Sequence, residues 1–272
     1  MENNMNTQMQ NEIPAEEPVV LYETRGHVAI ITLNRPKAGN SVNPDLAQAL
    51  DAALNAADAD DNIFAAVLTA AGEKIFCAGA DLKYMAQHGA EAMRVEGHGF
   101  AGLIERWFSK PLICAVNGAA FGGGCEMALA CDLIVAAEHA RFGQPEVKRG
   151  ILAAGGGPIR LMRSVPRAIA LELLFTGAGI SAQRALEIGL INRVVPAEQL
   201  MDAALALAEE IAANAPIALR GTKELAYKSV DMELSEAFAL SNQIRDRVKQ
   251  SEDSKEGPRA FAEKRDPVWK NR

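Results

Sequence analysis

The chain has 272 residues, 49% of them hydrophobic, with 28 basic against 35 acidic side chains and a net charge of −7. That is ample material for one large core, as a single domain or a domain with an appendage. No basic block stands out, which argues against nucleic acid or an anionic membrane as a partner, while a local basic pocket for a phosphorylated small molecule remains compatible with an acidic surface.

Residues 1–17, MENNMNTQMQNEIPAEE, are polar and acidic. They lack the Arg-rich pattern of a transit peptide and the apolar stretch of a signal peptide, so a disordered tail is expected. No stretch approaches the roughly 20 apolar residues of a membrane span, and a cytoplasmic location is expected. VVLYETRGHVAIITLNRP predicts two strands joined by a tight turn at Arg25-Gly26. Asn40 to Asp45 offer helix-start residues ahead of the amphipathic LAQALDAALNAADA. IFAAVLTAA, LICAVNG and DLIVAA predict short buried strands alternating with helices, the signature of α/β layering. After Ala197 the periodicity is helical throughout, in AEQLMDAALALAEEIAANAP, IALRGTKELAYKS and LSEAFALSNQIRDRVKQ. The expected organisation is an α/β core over residues 18–200 and a helical region over 201–272.

Cys77, Cys114, Cys125 and Cys131 lie in or beside apolar runs, with no CxxC pair and no metal-ligand spacing. They read as reduced packing residues. His27, His88, His98 and His139 are scattered and form no triad or HExxH pattern.

Three stretches carry chemistry. In NGAAFGGGCEMALACD, residues 117–132, Gly122 to Gly124 lie between a predicted strand and a predicted helix. Glycines there permit close backbone packing, or leave bare N–H groups at a helix start to meet an oxyanion. The run matches neither GxGxxG nor a Walker loop. Glu126 follows among apolar or small residues, where an unpaired carboxylate is costly. It either escapes to solvent, pairs with a cation, or is a carboxyl kept partly desolvated for proton transfer. Glu146, in FGQPEVKRG, lies one strand later in a loop-like stretch, so the chain can return it to the same rim of the sheet. Two carboxyl groups on one cavity are the minimum set for activating a water while moving a proton. In EKIFCAGADLKYM, Ala78-Gly79-Ala80 again exposes backbone, and Asp81 reads as a helix cap or as part of a site.

Together these stretches resemble the crotonase superfamily, the enoyl-CoA hydratase/isomerase family, from about Val19 to the C-terminus. LNRPKAGNSV, FCAGADLK, AVNGAAFGGGCEMALACD, FGQPEVKRG and FTGAGISAQRALEIGLINRVV fall in the family's order and spacing. The resemblance implies an α/β spiral of ββα turns with a C-terminal helical trimerisation region, assembled as a homotrimer or a dimer of trimers. It implies an acyl-CoA thioester as substrate, with coenzyme A as part of that substrate and no separate cofactor or metal. The family's oxyanion donors fall on the backbone N–H groups of Ala80 and Gly123, and its acid/base carboxylates on Glu126 and Glu146. Its CoA contacts fall on Ala78, Asp81, Lys83, Phe261 and Lys264, the last two often reaching across a subunit boundary.

The chain departs from many hydratases after Glu146, where GILAAGGGPIRL places Ala153-Ala154 at a common Pro-Gly and Pro158-Ile159 at a common Thr-Gln. EGPRAFAEKRDPVWK and FAGLIERW are similar to the carnitinyl-CoA dehydratase branch, whose substrate carries a quaternary ammonium. Tyr84 and Phe100 are the aromatic candidates for a cation cage, and residues 84–99 are expected to shape the acyl pocket. The leading expectation is hydration of a 2-enoyl-CoA. An isomerase, which usually needs one carboxylate, another crotonase reaction, and a non-catalytic or RNA-binding relative are the alternatives.

Overall fold

The computed structural model describes residues 17–272; the expected N-terminal tail lies almost wholly outside them. Among the described residues, twelve strands form three sheets. The large sheet has six: β1 (Val20–Arg25), β2 (Val28–Leu33), β3 (Ala65–Ala70), β7 (Leu112–Val116), β9 (Leu133–Ala137) and β12 (Arg193–Val195), in that spatial order. A smaller sheet runs β11 (Gly179–Ser181), β10 (Arg141–Gly143), β8 (Ala119–Phe121) and β4 (Ile75–Cys77). A two-stranded ribbon joins β5 (Arg94–Val95) to β6 (Gly99–Phe100). β1 and β2 pair antiparallel from Val20 opposite Leu33 to Arg25 opposite Val28. The hairpin loop is therefore Gly26-His27, one residue later than the sequence suggests, with Gly26 in the left-handed region.

The remaining order repeats. β3 enters the large sheet, β4 the small one, and α2 (Leu82–His88) follows. β7, β8 and α3 (Gly123–Ala130) do the same, then β9, β10 and the 3-10 turn Pro145–Arg149 leading to α4 (Gly157–Ser164). Each turn of this ββα spiral delivers a loop to the same rim, because β3, β7 and β9 are parallel neighbours in one sheet. Their sequences read as near-continuous apolar runs since both faces are covered.

One face is covered by α1 (Pro44–Ala59), which buries Leu46, Ala47, Leu50, Ala53, Leu54 and Ala57 at helical spacing. Asn43 caps its start, its side chain accepting from the Leu46 N–H at 3.0 Å. Lys110, almost fully buried, closes its end by donating to the carbonyls of Ala57 at 2.7 Å and Asp60 at 2.6 Å. The other face is covered by α7 (Leu200–Ala212), whose Leu200, Ala204, Leu205 and Ala208 pack with Val28, Val67 and Ile113. The helical region thus begins as a layer of the core. It continues through α8 (Pro216–Ser229), α9 (Leu234–Lys249) and α10 (Asp253–Glu263), the last a helix the sequence reading does not single out. Before α7, α5 (Arg167–Thr176) leads into β11 and α6 (Ala182–Glu187) into β12. All four cysteines are buried and unpaired, and burial pushes the Cys77 and Cys125 thiols up to about 12. No helix of the described residues is long and apolar enough to cross a membrane.

Candidate active site

The loops after β4, β8 and β10 converge. The first carries Ala78-Gly79-Ala80, held by two bonds from the neighbouring loop: the Val42 N–H donates to the Gly79 carbonyl at 2.8 Å and the Asp81 N–H to the Val42 carbonyl at 2.9 Å. That pairing uses the amides on either side of Ala80 and points its own N–H the other way. Asn40 anchors the connection from β3 to β4 that leads into this loop. It is fully buried with φ 51°, and its amide donates to the carbonyls of Ala71 and Ile75, each at 3.0 Å. Asp81 caps α2 by accepting from the Tyr84 N–H at 3.3 Å and pairs with Arg35 at 3.4 Å. The capping alternative therefore describes its contacts in this chain.

The second loop starts α3. Gly123 is its first helical residue, so its N–H has no carbonyl one turn back to bond. Gly79 packs on it: a Cβ there would stand 3.0 Å from the Gly123 nitrogen. The Ala80 and Gly123 amides thus belong to two backbone segments in direct contact. Glu126, one turn into α3, is 4% exposed. Its carboxylate accepts the Gly157 N–H at 2.8 Å, at the start of α4. A Cβ on Gly155 would meet that carboxylate and the Ile104 side chain, so a larger residue there would push the Glu126 carboxyl from this position.

The third loop carries Glu146, 9% exposed, on the 3-10 turn after β10. Its Oε1 lies 3.0 Å from where a Cβ on Gly122 would project, and Gly122 has φ 56°. Gly122 therefore serves both the backbone turn and the approach of a carboxyl. Gln144, also buried, has its amide nitrogen 3.2 Å from both Glu146 oxygens in the orientation those neighbours demand. The structure therefore brings the backbone of Ala80 and Gly123 and the carboxyls of Glu126 and Glu146 together through packed neighbouring segments.

The two carboxyls differ in environment. Burial pushes Glu146 up to about 7, and the nearby Glu126 adds to that. Burial also raises Glu126, but the amides of Gly157 and Gly155 and the cation of Arg160 oppose it. Burial thus pushes both carboxyls up, and their proximity disfavours ionising both at once, so they titrate as a pair. A consequence for stability follows. A carboxyl raised on folding contributes stability that is full below its unfolded value near 4.5 and lost as pH rises through about 7. Glu146→Gln should therefore stabilise the fold relative to wild type by roughly 1–2 kcal/mol at pH 8, with little difference at pH 4.5. Thermal unfolding at both values checks this; an equal difference at the two would contradict it.

The outer candidates are dispersed. Ala78 and Lys83 are exposed at the edge of the first loop and on α2. Of the two aromatic candidates, Tyr84 stacks on His88 with centroids 4.3 Å apart, whereas the Phe100 ring lies 2.6 Å from where a Cβ on Gly123 would project. Phe261, 88% exposed, and Lys264 sit at the end of α10. Beyond them Trp269 donates to the Ala213 carbonyl at 2.7 Å and Asn271 to that of Asp61 at 2.9 Å. Among the described residues, no hydrogen bond or ion pair joins residues 253–272 to Ala80, Gly123, Glu126 or Glu146. The sequence reading missed Asn40, Gly155, Gly157 and Arg160, which support the carboxyl groups and donors from behind. The only signals were a glycine run in a departing segment and an arginine within an apolar helix turn.

The family model for enoyl-CoA hydratase/isomerase matches residues 23–272. A carnitinyl-CoA dehydratase of Proteus mirabilis is 43% identical over 92% of this chain and 97% of its own. A short-chain-enoyl-CoA hydratase of Clostridium acetobutylicum is 40% identical over 90% and 95%. The crystal structure of an enoyl-CoA hydratase from Mycobacterium tuberculosis H37Rv superposes with a TM-score of 0.90 at 47% identity, over 94% of this chain and all of that one. A spiral of ββα turns, a paired-glutamate cleft and a match across nearly the whole described chain agree: the chain belongs to the enoyl-CoA hydratase/isomerase family, with the crotonase fold.

Proposed function

We propose that the chain is a hydro-lyase that adds water across the 2,3 double bond of a 2-enoyl-CoA thioester. The observation that supports this is the pairing of Glu126 and Glu146, both buried and near enough that the charge of Glu126 adds to the upward push of burial on Glu146. The thioester oxygen accepts from the Ala80 and Gly123 amides, which draws charge from C3 and stabilises the enolate that develops at the carbonyl. Glu126, ionised, takes a proton from water as the oxygen bonds to C3. Glu146, protonated, delivers its proton to C2. The resting state returns when the proton gained by Glu126 passes to Glu146, and atoms balance as one water added. The step is redox-neutral and calls for no cofactor beyond the coenzyme A of the substrate.

A second reading is dehydration of a carnitinyl-type thioester, favoured by the 43% identity to a relative of that name. The two readings share a mechanism and differ in the acyl end, where Phe100 is the aromatic the structure places beside Gly123. Following the enoyl-thioester absorbance with crotonyl-CoA, longer and branched enoyl-CoAs, and one bearing a trimethylammonium group tests both. Turnover of crotonyl-CoA supports the leading reading. Turnover confined to the cationic substrate supports the second, and turnover of none would overturn both.

A homotrimer or dimer of trimers in the cytoplasm is the proposed setting. Support comes from Val230, Leu234 and Phe238, large apolar side chains left 63–71% exposed on and between α8 and α9. Phe261 and Lys264 would then reach the CoA nucleotide of a neighbouring subunit. Replacing both by Ala is expected to raise KM several-fold with kcat within about 2-fold, since contacts to an unreacting end bind ground and transition states alike. Both side chains are exposed, so the fold is undisturbed. An unchanged KM would remove them from the site.

A further inference from the structure

Arg160 is a half-buried cation on α4 that forms no ion pair within 4.0 Å among the described residues. It instead bonds backbone. Its Nη2 donates to the Ile104 carbonyl at 2.6 Å and its Nη1 lies 3.5 Å from the Gly155 carbonyl. These two contacts join separate parts of the site. Gly155 begins the Gly155–Gly157 turn, which packs on Glu126 and gives it the Gly157 N–H. Ile104 ends the 97–104 segment, which carries Phe100 onto Gly123. That segment is an unusual one: Gly97, Gly99, Ala101 and Gly102 all have positive φ, and Ala101 is a buried non-glycine at 58°. Such backbone persists only where its surroundings fix it.

Resting on the hydratase reading above, we infer that Arg160 is a positioning residue for Glu126, clamping the turn that holds this carboxylate to the segment that walls the oxyanion glycine and presenting a cation toward it. The groups facing Arg160 are Glu126 and Cys131 of the α3 region, Tyr227 of α8 and Glu105 beyond Ile104. Glu105 is engaged by Arg94 at 2.6 Å, and Tyr227 donates to Asp132 at 2.7 Å. The groups facing Glu126 are Arg160, the Gly155 and Gly157 amides, Glu146 across the cleft and the Cys125 thiol. Losing the cation therefore leaves Glu126 facing another carboxyl with only backbone amides to favour its ionised form.

The test is the pH dependence of kcat/KM for enoyl-CoA hydration by the full chain, in wild type, Arg160→Gln and Arg160→Lys, together with a cycle against Glu126→Gln. Arg160→Gln should lower kcat about 10-fold with KM within about 2-fold and move the acid limb up by about one pH unit. Arg160→Lys, which retains the cation, should keep the acid limb in place. In the Glu126→Gln background, Arg160→Gln should cost less than about 2-fold, because the residue it acts through is gone. Equal losses in both backgrounds, or an unmoved acid limb, would overturn the inference. Should the Gln variant fail to fold, the Lys variant decides by the same cycle. It loses rate only where Glu126 is present if the inference holds, and in both backgrounds if it fails. A wild-type chain that hydrates no enoyl-CoA would instead refute the underlying reading.

Discussion

Glu126→Gln and Glu146→Gln are each expected to lower turnover by about 10²-fold or more while leaving affinity for the CoA thioester nearly unchanged. Each carboxyl sits against a glycine position that a side chain would fill, Glu126 over Gly155 and Glu146 over Gly122, so the isosteric amide fits without displacing backbone. What is lost is proton transfer. On the mechanism proposed above, Gln at position 126 would leave no group to accept the proton of the attacking water, and Gln at 146 none to deliver a proton to C2. Because the two carboxyls titrate together, the double variant should cost much less than the product of the single losses. Steady-state kinetics with a thermal-unfolding control checks this. Near-full hydration by the Glu146→Gln variant would contradict the two-carboxyl mechanism.

Gly123→Pro is expected to abolish turnover, since proline removes the N–H offered to the oxyanion, and one such donor is typically worth about 10²–10³ in rate. The substitution also pushes on Phe100, whose ring approaches within 2.6 Å of the added Cβ. Gly123→Ala makes the same push and keeps the N–H. The gap between the Ala and Pro variants therefore reports the donor, with circular dichroism confirming that both fold. Equal activities in the two would show that Phe100 packing, not the amide, accounts for the loss.

Much of this architecture was legible in the sequence because its strands are buried on both faces. VAIITL, AAVLTA, LICAV and LIVAA announce a covered parallel sheet by composition alone. Glu126 was legible for the converse reason, a charge in an apolar helix. The three-residue strands β4, β8 and β10 were not, since so short a run carries no periodicity and is defined only by its partners. Nor was the support of Glu126. Gly157 and Arg160 lie 31 and 34 positions away and act through a backbone amide and a guanidinium, neither of which leaves a local pattern. Asp81 shows the opposite limit. The same residue satisfies a cap motif and a family match, and its bonds to the Tyr84 N–H and Arg35 show which contacts it makes in this chain.

The central claim is that the cleft adds water to a carbon–carbon double bond and leaves the thioester whole. Turnover of crotonyl-CoA by the full chain in ¹⁸O-labelled water, with products resolved by mass spectrometry, tests it most directly. The expected product is an intact 3-hydroxyacyl-CoA carrying one ¹⁸O in its hydroxyl group. Free coenzyme A with the label in a carboxylate, or prolonged incubation that forms no 3-hydroxyacyl-CoA, would contradict it.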